Sequence, residues 1–305
     1  MIQLPLKSYY IFASLALLAV VSCKNSCSKE KLEIKDPQAA VGGLDFSGLS
    51  KEQVTGFTKL LSDEICPCGC PKTFAQCLNN QEKCKVGDLL AQWALGHLKS
   101  GVSERELFQA LSDEINKGFM SEPLKVKTED AHHKGQITAP ITVIEFADFE
   151  CPACKLAAQS LGKVLKNHKD DIQVYFMHCP LNTHPHAEAA AVAAEAAARQ
   201  NKFWDMHDAL FAYEGPLSES AIQKLATNVF AAEELVKFKK DLLDPQLLTK
   251  VRAQKDYAMK ELKLAGTPTF LFNSRLYNLS LAEDGFLLRI AMEKARTSIN
   301  CQAHE

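Results

Sequence analysis

The sequence has 305 residues, of which 47% are hydrophobic, and a formal net charge of −2 at pH 7. This length predicts two domains, and the hydrophobic fraction is that of an ordinary globular chain. The small net charge and the lack of a basic stripe give no electrostatic reason to expect nucleic-acid binding. Eleven cysteines are many for a reducing compartment, so the composition favours an oxidising one.

Residues 1–23 are predicted to be a lipoprotein-type signal sequence. Lys7 precedes an apolar run over 9–21, which is short for a membrane span and suits the hydrophobic region of a signal peptide. The run ends Ala-Val-Val-Ser-Cys23, which resembles a bacterial lipobox, although Val20 stands where that motif usually has leucine. The resemblance implies lipidation at Cys23 and attachment to the bacterial cell envelope, facing the periplasm or the outside. Cleavage elsewhere, or an uncleaved anchor, is the alternative.

Residues 24–49 are polar, with alternating lysine and glutamate, and are predicted to form a flexible tether. A small cysteine-rich module of three short helices is expected over 50–120. Ser50 and Ser103 each begin a capping-box pattern that opens an apolar-periodic run.

The cysteines of this module allow three interpretations. Structural disulfides with one odd thiol are the first, because a small module gains much from covalent links. A zinc site and a second redox site are the others. The helix, cysteine loop and two further helices resemble the CcmH-like domain of cytochrome c maturation, but that family has Cys-x-x-Cys where this chain has Cys-x-Cys-x-Cys. The residues concerned are Cys66, Cys68, Cys70, Cys77 and Cys84.

Residues 121–137 are predicted to be an interdomain linker, with an edge strand at 124–127 and with His132 and His133 in a solvated loop. Residues 138–305 are then expected to form an α/β domain.

The motif that organises this second domain is Cys151-Pro-Ala-Cys154. An apolar strand leads to it and a helix-like apolar spacing follows it. Because proline is well tolerated at the first helical position, Cys151 is expected at the helix N-cap. The unsatisfied N–H groups there stabilise a thiolate, so the pKa of Cys151 should fall and its sulfur should be an exposed nucleophile. Cys154 lies within the first turn, where it can close a disulfide with Cys151.

This arrangement predicts thiol–disulfide exchange. A zinc knuckle needs four ligands, usually from two such pairs, and the chain has no second Cys-x-x-Cys. A purely structural disulfide is the other alternative, but so short a loop suits reversible exchange better. We expect no metal and no cofactor.

A proline before an apolar strand, Pro268 in Gly266-Thr-Pro-Thr-Phe-Leu-Phe272, supports this prediction because such a proline is often cis and packs across from an active site. Together with the cysteine motif and the intervening helices it resembles the DsbA-like branch of the thioredoxin superfamily over roughly 125–300. The residues that carry the resemblance are Glu145, Cys151-Pro-Ala-Cys154, His184-Pro-His-Ala187, Lys202-Phe-Trp-Asp-Met-His-Asp208 and Thr267-Pro268.

The resemblance implies a thioredoxin fold with a helical insertion at about 184–264. It implies that the Thr267–Pro268 bond is cis, that Pro268 docks the substrate backbone, and that Glu145 is buried. A buried carboxyl has a raised pKa and can relay the proton of Cys154; strand alternation turning Glu145 to solvent is the alternative.

The sequence also allows predictions for five further residues of this domain. Trp204 and His207 are expected to be packing residues, and His186 is expected to be either a core histidine or a neighbour of the cysteine pair. Cys179 is expected to bridge to Cys301 or to remain a buried thiol.

The predicted function is oxidation of cysteine thiols on protein substrates, with a membrane redox partner that reoxidises the pair. One alternative is a reductase or isomerase, which Thr267 and the resemblance to a cytochrome-maturation module favour. Another is a non-catalytic binding lipoprotein with structural disulfides.

Overall fold

A five-stranded mixed sheet organises the larger part of the chain. This computed structural model describes residues 43–64, 66–67, 73–79, 84–115, 121–277 and 280–296. Outside these ranges lie the predicted signal sequence, Cys23, Cys68, Cys70 and Cys301, for which the roles given above stay predictions. Among the described residues, no helix has both the length and the apolar character needed to cross a membrane.

The first module contains four helices over the described ranges, α1 (Lys51–Asp63), α2 (Phe74–Asn79), α3 (Lys85–Lys99) and α4 (Glu104–Asp113). Both predicted capping boxes are present, at Ser50 and Ser103. The three predicted helices are therefore confirmed. The short helix α2 is an addition, because its six residues are too few to show a period in the sequence.

The sheet has the strand order β1-β3-β2-β4-β5. Strands β2 and β3 are parallel, and the other neighbours are antiparallel. The strands are β1 (His132–Gly135), β2 (Ile141–Ala147), β3 (Ile172–His178), β4 (Thr269–Phe272) and β5 (Arg275–Leu276). Because β2 lies between β3 and β4, the residues that follow it emerge near the middle of the sheet edge.

Helix α5 (Pro152–Asn167) connects β2 to β3. The predicted insertion is confirmed as helical. It contains α6 (Ala187–Ala198), α7 (Phe203–Ala212), α8 (Glu219–Val229), α9 (Ala232–Asp241), α10 (Pro245–Asp256) and a π-helical turn at Tyr257–Glu261. The alanine-rich α6 packs closely because small side chains let neighbouring helices approach, and Ala190, Ala193 and Ala194 are fully buried.

The closing helix α11 (Glu283–Arg296) belongs to two cores. Phe286 and Ile290 pack under the sheet with residues of β2 and α5. Leu288, Met292 and Ala295 pack instead with the helices of the first module. The two parts of the chain therefore share one helix.

The predicted linker, 121–137, differs from the structure. His132–Gly135 is the edge strand β1 and pairs with β3, whereas 124–127 forms no strand. Leu124 and Val126 nevertheless pack against the sheet core. The prediction of a solvated loop for His132 and His133 was wrong, because two polar side chains in a short polar run give no sign of strand pairing.

Candidate functional site

The two cysteines lie where the sequence predicts them, at the start of α5. Cys151 is the N-cap and Pro152 is the first helical residue. Strand β2 ends at Ala147, so the sheet positions the beginning of this helix directly. Cys154 is fully buried, and Cys151 is 7% exposed. The expectation of an exposed Cys151 was thus wrong, because most of this residue is buried.

The electrostatics of the two thiols differ sharply. A hydrogen bond from the Cys154 thiol is the largest influence on the pKa of Cys151, which falls to about 5 although burial opposes the change. Burial raises the pKa of Cys154 far above its ordinary value, and its hydrogen bond to Cys151 raises it further. One sulfur is therefore ionised at neutral pH and its neighbour remains a thiol, which is what a nucleophile and a resolving group require.

The loop before β4 covers the cysteine pair. The carbonyl oxygen of Thr267 lies 3.5 Å from Cys151 Sγ. The Thr267–Pro268 peptide bond is cis, as the family resemblance implies. The backbone of this loop thus lies beside the reactive sulfur.

Glu145 is 1% exposed and lies in the middle of β2. Burial raises the pKa of its carboxyl to about 8. Its Oε1 has no hydrogen-bond partner among the described residues. The prediction of a buried carboxyl with a raised pKa is confirmed, and the alternative of a solvent-facing side chain was wrong. At neutral pH this group holds a proton that it can exchange.

Asp148 ties the cysteine loop to the loop after β3. Its carboxylate accepts hydrogen bonds from the N–H groups of Glu150, at 2.8 Å, and Leu181, at 2.7 Å. His184 Nδ1 lies 2.7 Å from the same carboxylate. That contact raises the pKa of His184, and the charges of Asp148 and Cys151 raise it further while burial opposes. A protonated His184 therefore favours the Cys151 thiolate.

Asp148 and His184 were missed as functional residues, although the signals were present. Asp148 is the polar residue that ends β2, and His184 lies in the run that carries the family resemblance. His186, which was considered instead, caps α6 and donates its backbone N–H to Glu150 at 2.6 Å.

Trp204, His207 and Cys179 are the remaining predicted residues that the structure describes. Trp204 and His207 pack among aromatic rings of the insertion, as expected, and His207 also lines a cavity beside Glu145. Cys179 is a buried thiol with no disulfide to a described residue, and burial raises its pKa to about 11.

The cysteines of the first module are arranged differently. Cys66 and Cys77 form a disulfide. Cys84 is also disulfide-bonded, and it is the N-cap of α3, where its Sγ accepts the Gly87 N–H at 3.2 Å. The structure thus contains disulfides in this module, and their assignment as structural links or as a second redox site stays a prediction.

In the described part of the chain, two groups of side chains have donor atoms close enough to hold a metal ion. One is Cys66, Cys77 and Cys84, whose sulfurs are already in disulfides. The other is His132, His178 and Glu195. In it both histidine Nε2 atoms contact Glu195 Oε1, at 2.8 and 3.1 Å, and Lys250 Nζ lies 2.8 Å from Oε2. The lysine ammonium already neutralises this carboxylate and would repel a cation.

Comparison with known proteins agrees with this site. Residues 127–290, more than half of the chain, match the family model described as Thioredoxin. The probable disulfide bond formation protein D of Bacillus anthracis is 30% identical over 182 residues, which cover 56% of this chain and 81% of that protein. The fold and the paired cysteines are those of a thioredoxin domain. The chain belongs to the thioredoxin family.

The chain is also similar to part of a larger membrane transporter and to one solved structure. The Na(+)/H(+) antiporter NhaA 3 of Salinispora tropica is 32% identical over 194 residues, which cover 63% of this chain and 29% of the antiporter. The chain thus spans less than a third of that relative. The crystal structure of oxidised BdbD from Bacillus subtilis aligns at 22% identity with a TM-score of 0.48, covering 58% of this chain and 98% of that one.

Proposed function

We propose that the protein oxidises thiols of extracytoplasmic protein substrates through a Cys151–Cys154 disulfide. The observation that carries the proposal is the contrast between the two thiols, one with a pKa of about 5 and one with a strongly raised pKa. A thiolate that is stabilised only in the reduced pair makes the disulfide more oxidising.

The exchange proceeds in two steps. A substrate thiolate attacks Cys151 Sγ, the bond between Cys151 and Cys154 breaks, and Cys154 leaves with the electron pair and takes up a proton. A second substrate thiolate then attacks the substrate sulfur of the mixed disulfide and releases Cys151 as a thiolate. The substrate loses two electrons and the cysteine pair gains them. Glu145 supplies the proton to Cys154, and Thr267 and Pro268 align the substrate backbone.

The contribution of the Cys151 thiolate to the reduction potential has an upper limit. A thiol with a pKa of about 5 is almost completely ionised at pH 7. This ionisation favours the reduced pair by at most about 3 kcal/mol, or about 60 mV, and solvent screening lowers both values. Thiolate stabilisation therefore contributes part of an oxidising potential.

The reduction potential of the pair, measured against glutathione, tests the direction of the reaction. A reduction potential of about −120 mV fits an oxidase. A reduction potential of about −270 mV fits a reductase and would overturn the proposal. An intermediate value with efficient reshuffling of a scrambled substrate would indicate an isomerase. If Cys151→Ser leaves activity unchanged in vivo, the protein is instead a non-catalytic binding lipoprotein.

Attachment to the cell envelope is part of the same proposal, because oxidised cysteine pairs persist outside the cytoplasm. A lipid at Cys23 would hold the domain beside a membrane redox partner that reoxidises it. Labelling with a palmitate analogue tests this. Cys23→Ala should abolish the label and release the protein from the membrane fraction, whereas unchanged labelling of that variant would exclude Cys23 as the lipidated residue.

A further inference from the structure

A small cavity, partly open to solvent, lies between strands β1, β2 and β3 and helices α5 and α7. Its volume is about 30 Å³, and Glu145 and His207 both line it, with apolar walls from Leu161 and Trp204. Neither Glu145 Oε1 nor His207 Nε2 has a hydrogen-bond partner among the described residues, although both atoms are buried. A cavity of this size holds about one water molecule, and a buried water needs polar partners of this kind.

The other nitrogen of His207 fixes the protonation of the ring. His207 Nδ1 lies 2.8 Å from Asp208 Oδ1. An ionised carboxylate only accepts hydrogen bonds, so Nδ1 must carry the hydrogen. Burial lowers the pKa of His207 and keeps the imidazole neutral. The unpartnered Nε2 is therefore the basic atom of the ring, and this tautomer follows from the hydrogen bond.

The far side of His207 leads to solvent. The side chain of Asp208 is 63% exposed, and Lys134 Nζ lies 3.6 Å from its Oδ2. Lys134 also lines the cavity, and its charge and that of His132 act on His207 together with Asp208. A buried acid, a buried base and an exposed carboxylate thus follow one another from the interior to the surface.

We propose that His207 carries the proton of the Cys154 step between Glu145 and solvent, through one water molecule in this cavity. The proposal rests on the proposed exchange reaction and deepens it. When the pair is reoxidised, Glu145 passes its proton through the water to His207 Nε2, and the carboxylate formed in this way takes up the proton of Cys154. His207 releases the Nδ1 proton toward Asp208 and solvent. Reduction of the pair reverses the flow, so the tautomer is reset in every cycle.

The reaction of the reduced protein with oxidised glutathione separates the relevant steps. The Cys151 thiolate first forms a mixed disulfide and releases one glutathione thiolate. Cys154 then loses its proton, attacks Cys151 Sγ and releases the second glutathione. Rapid acid quenching and mass spectrometry follow both steps. We expect His207→Asn to slow the second step about a hundredfold at pH 7, at the lower end of the range for general acid–base groups, and to leave the first step unchanged.

Two variants keep the test independent of folding. The matched control is His133→Asn, since His133 is a histidine of β1 that packs on Tyr175 and does not line the cavity; both of its steps should keep the wild-type rate. In His207→Ala, added imidazole should restore the second step, because it returns the base to the vacated space. Asp208→Asn should slow the second step less than His207→Asn does.

The possible outcomes distinguish failure of the proton relay through His207 from failure of the proposed exchange reaction. If Glu145→Gln slows the second step and His207→Asn does not, the relay through His207 is wrong and the proposed function stands. If imidazole gives no rescue while the first step is normal, the relay is also wrong. If neither Glu145→Gln nor His207→Asn changes the second step, the role of Glu145 fails with it. If the wild-type protein does not react with oxidised glutathione, the proposed function itself fails.

Discussion

The two cysteine regions of this protein place a sulfur at the same kind of position and use it differently. Cys84 is the N-cap of α3 and Cys151 is the N-cap of α5. Cys84 is disulfide-bonded, and its sulfur accepts a backbone N–H from Gly87. Cys151 is a thiol whose neighbours are the Cys154 thiol and the Thr267 carbonyl. The two N-cap sulfurs therefore differ in their surroundings, and the partner thiol and the covering loop are what distinguish the α5 site.

The largest expected effect comes from the sulfur of the α5 site. Cys151→Ser should lower the rate of thiol–disulfide exchange by at least about a thousandfold, because serine cannot form the disulfide with Cys154 that a substrate thiolate attacks. The assay is oxidation of a peptide dithiol by the oxidised protein. Cys179→Ser is the control, since Cys179 is a buried thiol whose pKa is raised to about 11. Comparable loss in that control would contradict the assignment.

The next largest effect is expected for the buried ion pair that joins the two regions. Arg289 is fully buried on α11 and forms ion pairs with Glu114 of the first module and with Glu293, the latter at 3.0 Å. Arg289→Met leaves the buried Glu114 carboxylate without this partner, so the free energy of unfolding should fall by about 3–5 kcal/mol. Urea denaturation of the variant and the wild-type protein measures this difference in the free energy of unfolding.

A double variant shows whether that loss comes from the uncompensated charge. Arg289→Met combined with Glu114→Met removes both charges and should recover a large part of the stability, because a buried ion pair and an apolar pair of similar volume are often nearly equivalent. No recovery would mean that the packing of the arginine stem, rather than its charge, joins the two regions.

The disulfide of the first module should matter for stability and not for exchange. Cys66 and Cys77 are 11 residues apart. Replacing both by serine should lower the free energy of unfolding by about 3 kcal/mol, the loop-entropy value for a link of this span. Exchange by Cys151 should keep its wild-type rate in the same preparation. A selective loss of exchange, with stability maintained, would instead support the second redox site.

The smallest effect is a pH dependence. The folded-state pKa of Cys151, about 5, is below its ordinary value of 9.0. Such a group stabilises the reduced folded protein at high pH, and this contribution is lost as pH falls through 5. Reduced protein should therefore gain stability relative to oxidised protein between pH 5 and 8, by at most about 1.4 kcal/mol per pH unit before solvent screening. Paired urea titrations at pH 5, 6, 7 and 8 check the slope. Equal stabilities at every pH would mean that no thiolate is stabilised.

Much of the larger domain could be predicted because local patterns and tertiary structure agree there. The apolar run of β2, Pro152 at the first position of α5 and the alanines of α6 each favour the element that they form. The cis peptide before Pro268 and the burial of Glu145 came from family resemblance, since neither can be read from spacing alone.

What the sequence could not show depends on contacts between distant segments. His132 and His133 join the sheet because β3 offers an unpaired edge, and nothing local indicates this. Asp148 reaches His184 across 36 residues, so their contact required the folded loops. The cavity at His207 likewise exists only where α7 crosses the face of the sheet. Side chains that act in pairs are hardest to predict when the partners belong to different elements.

The double packing of α11 has a consequence for how the protein can be divided. Its inner face completes the sheet core through Phe286, and its outer face completes the module core through Leu288 and Met292. A fragment starting at residue 121 would carry this helix with Arg289 and an apolar stripe newly open to water. The redox domain should then aggregate when it is expressed alone. Heating the intact chain should give a single calorimetric transition, because neither part can unfold without removing a helix from the core of the other.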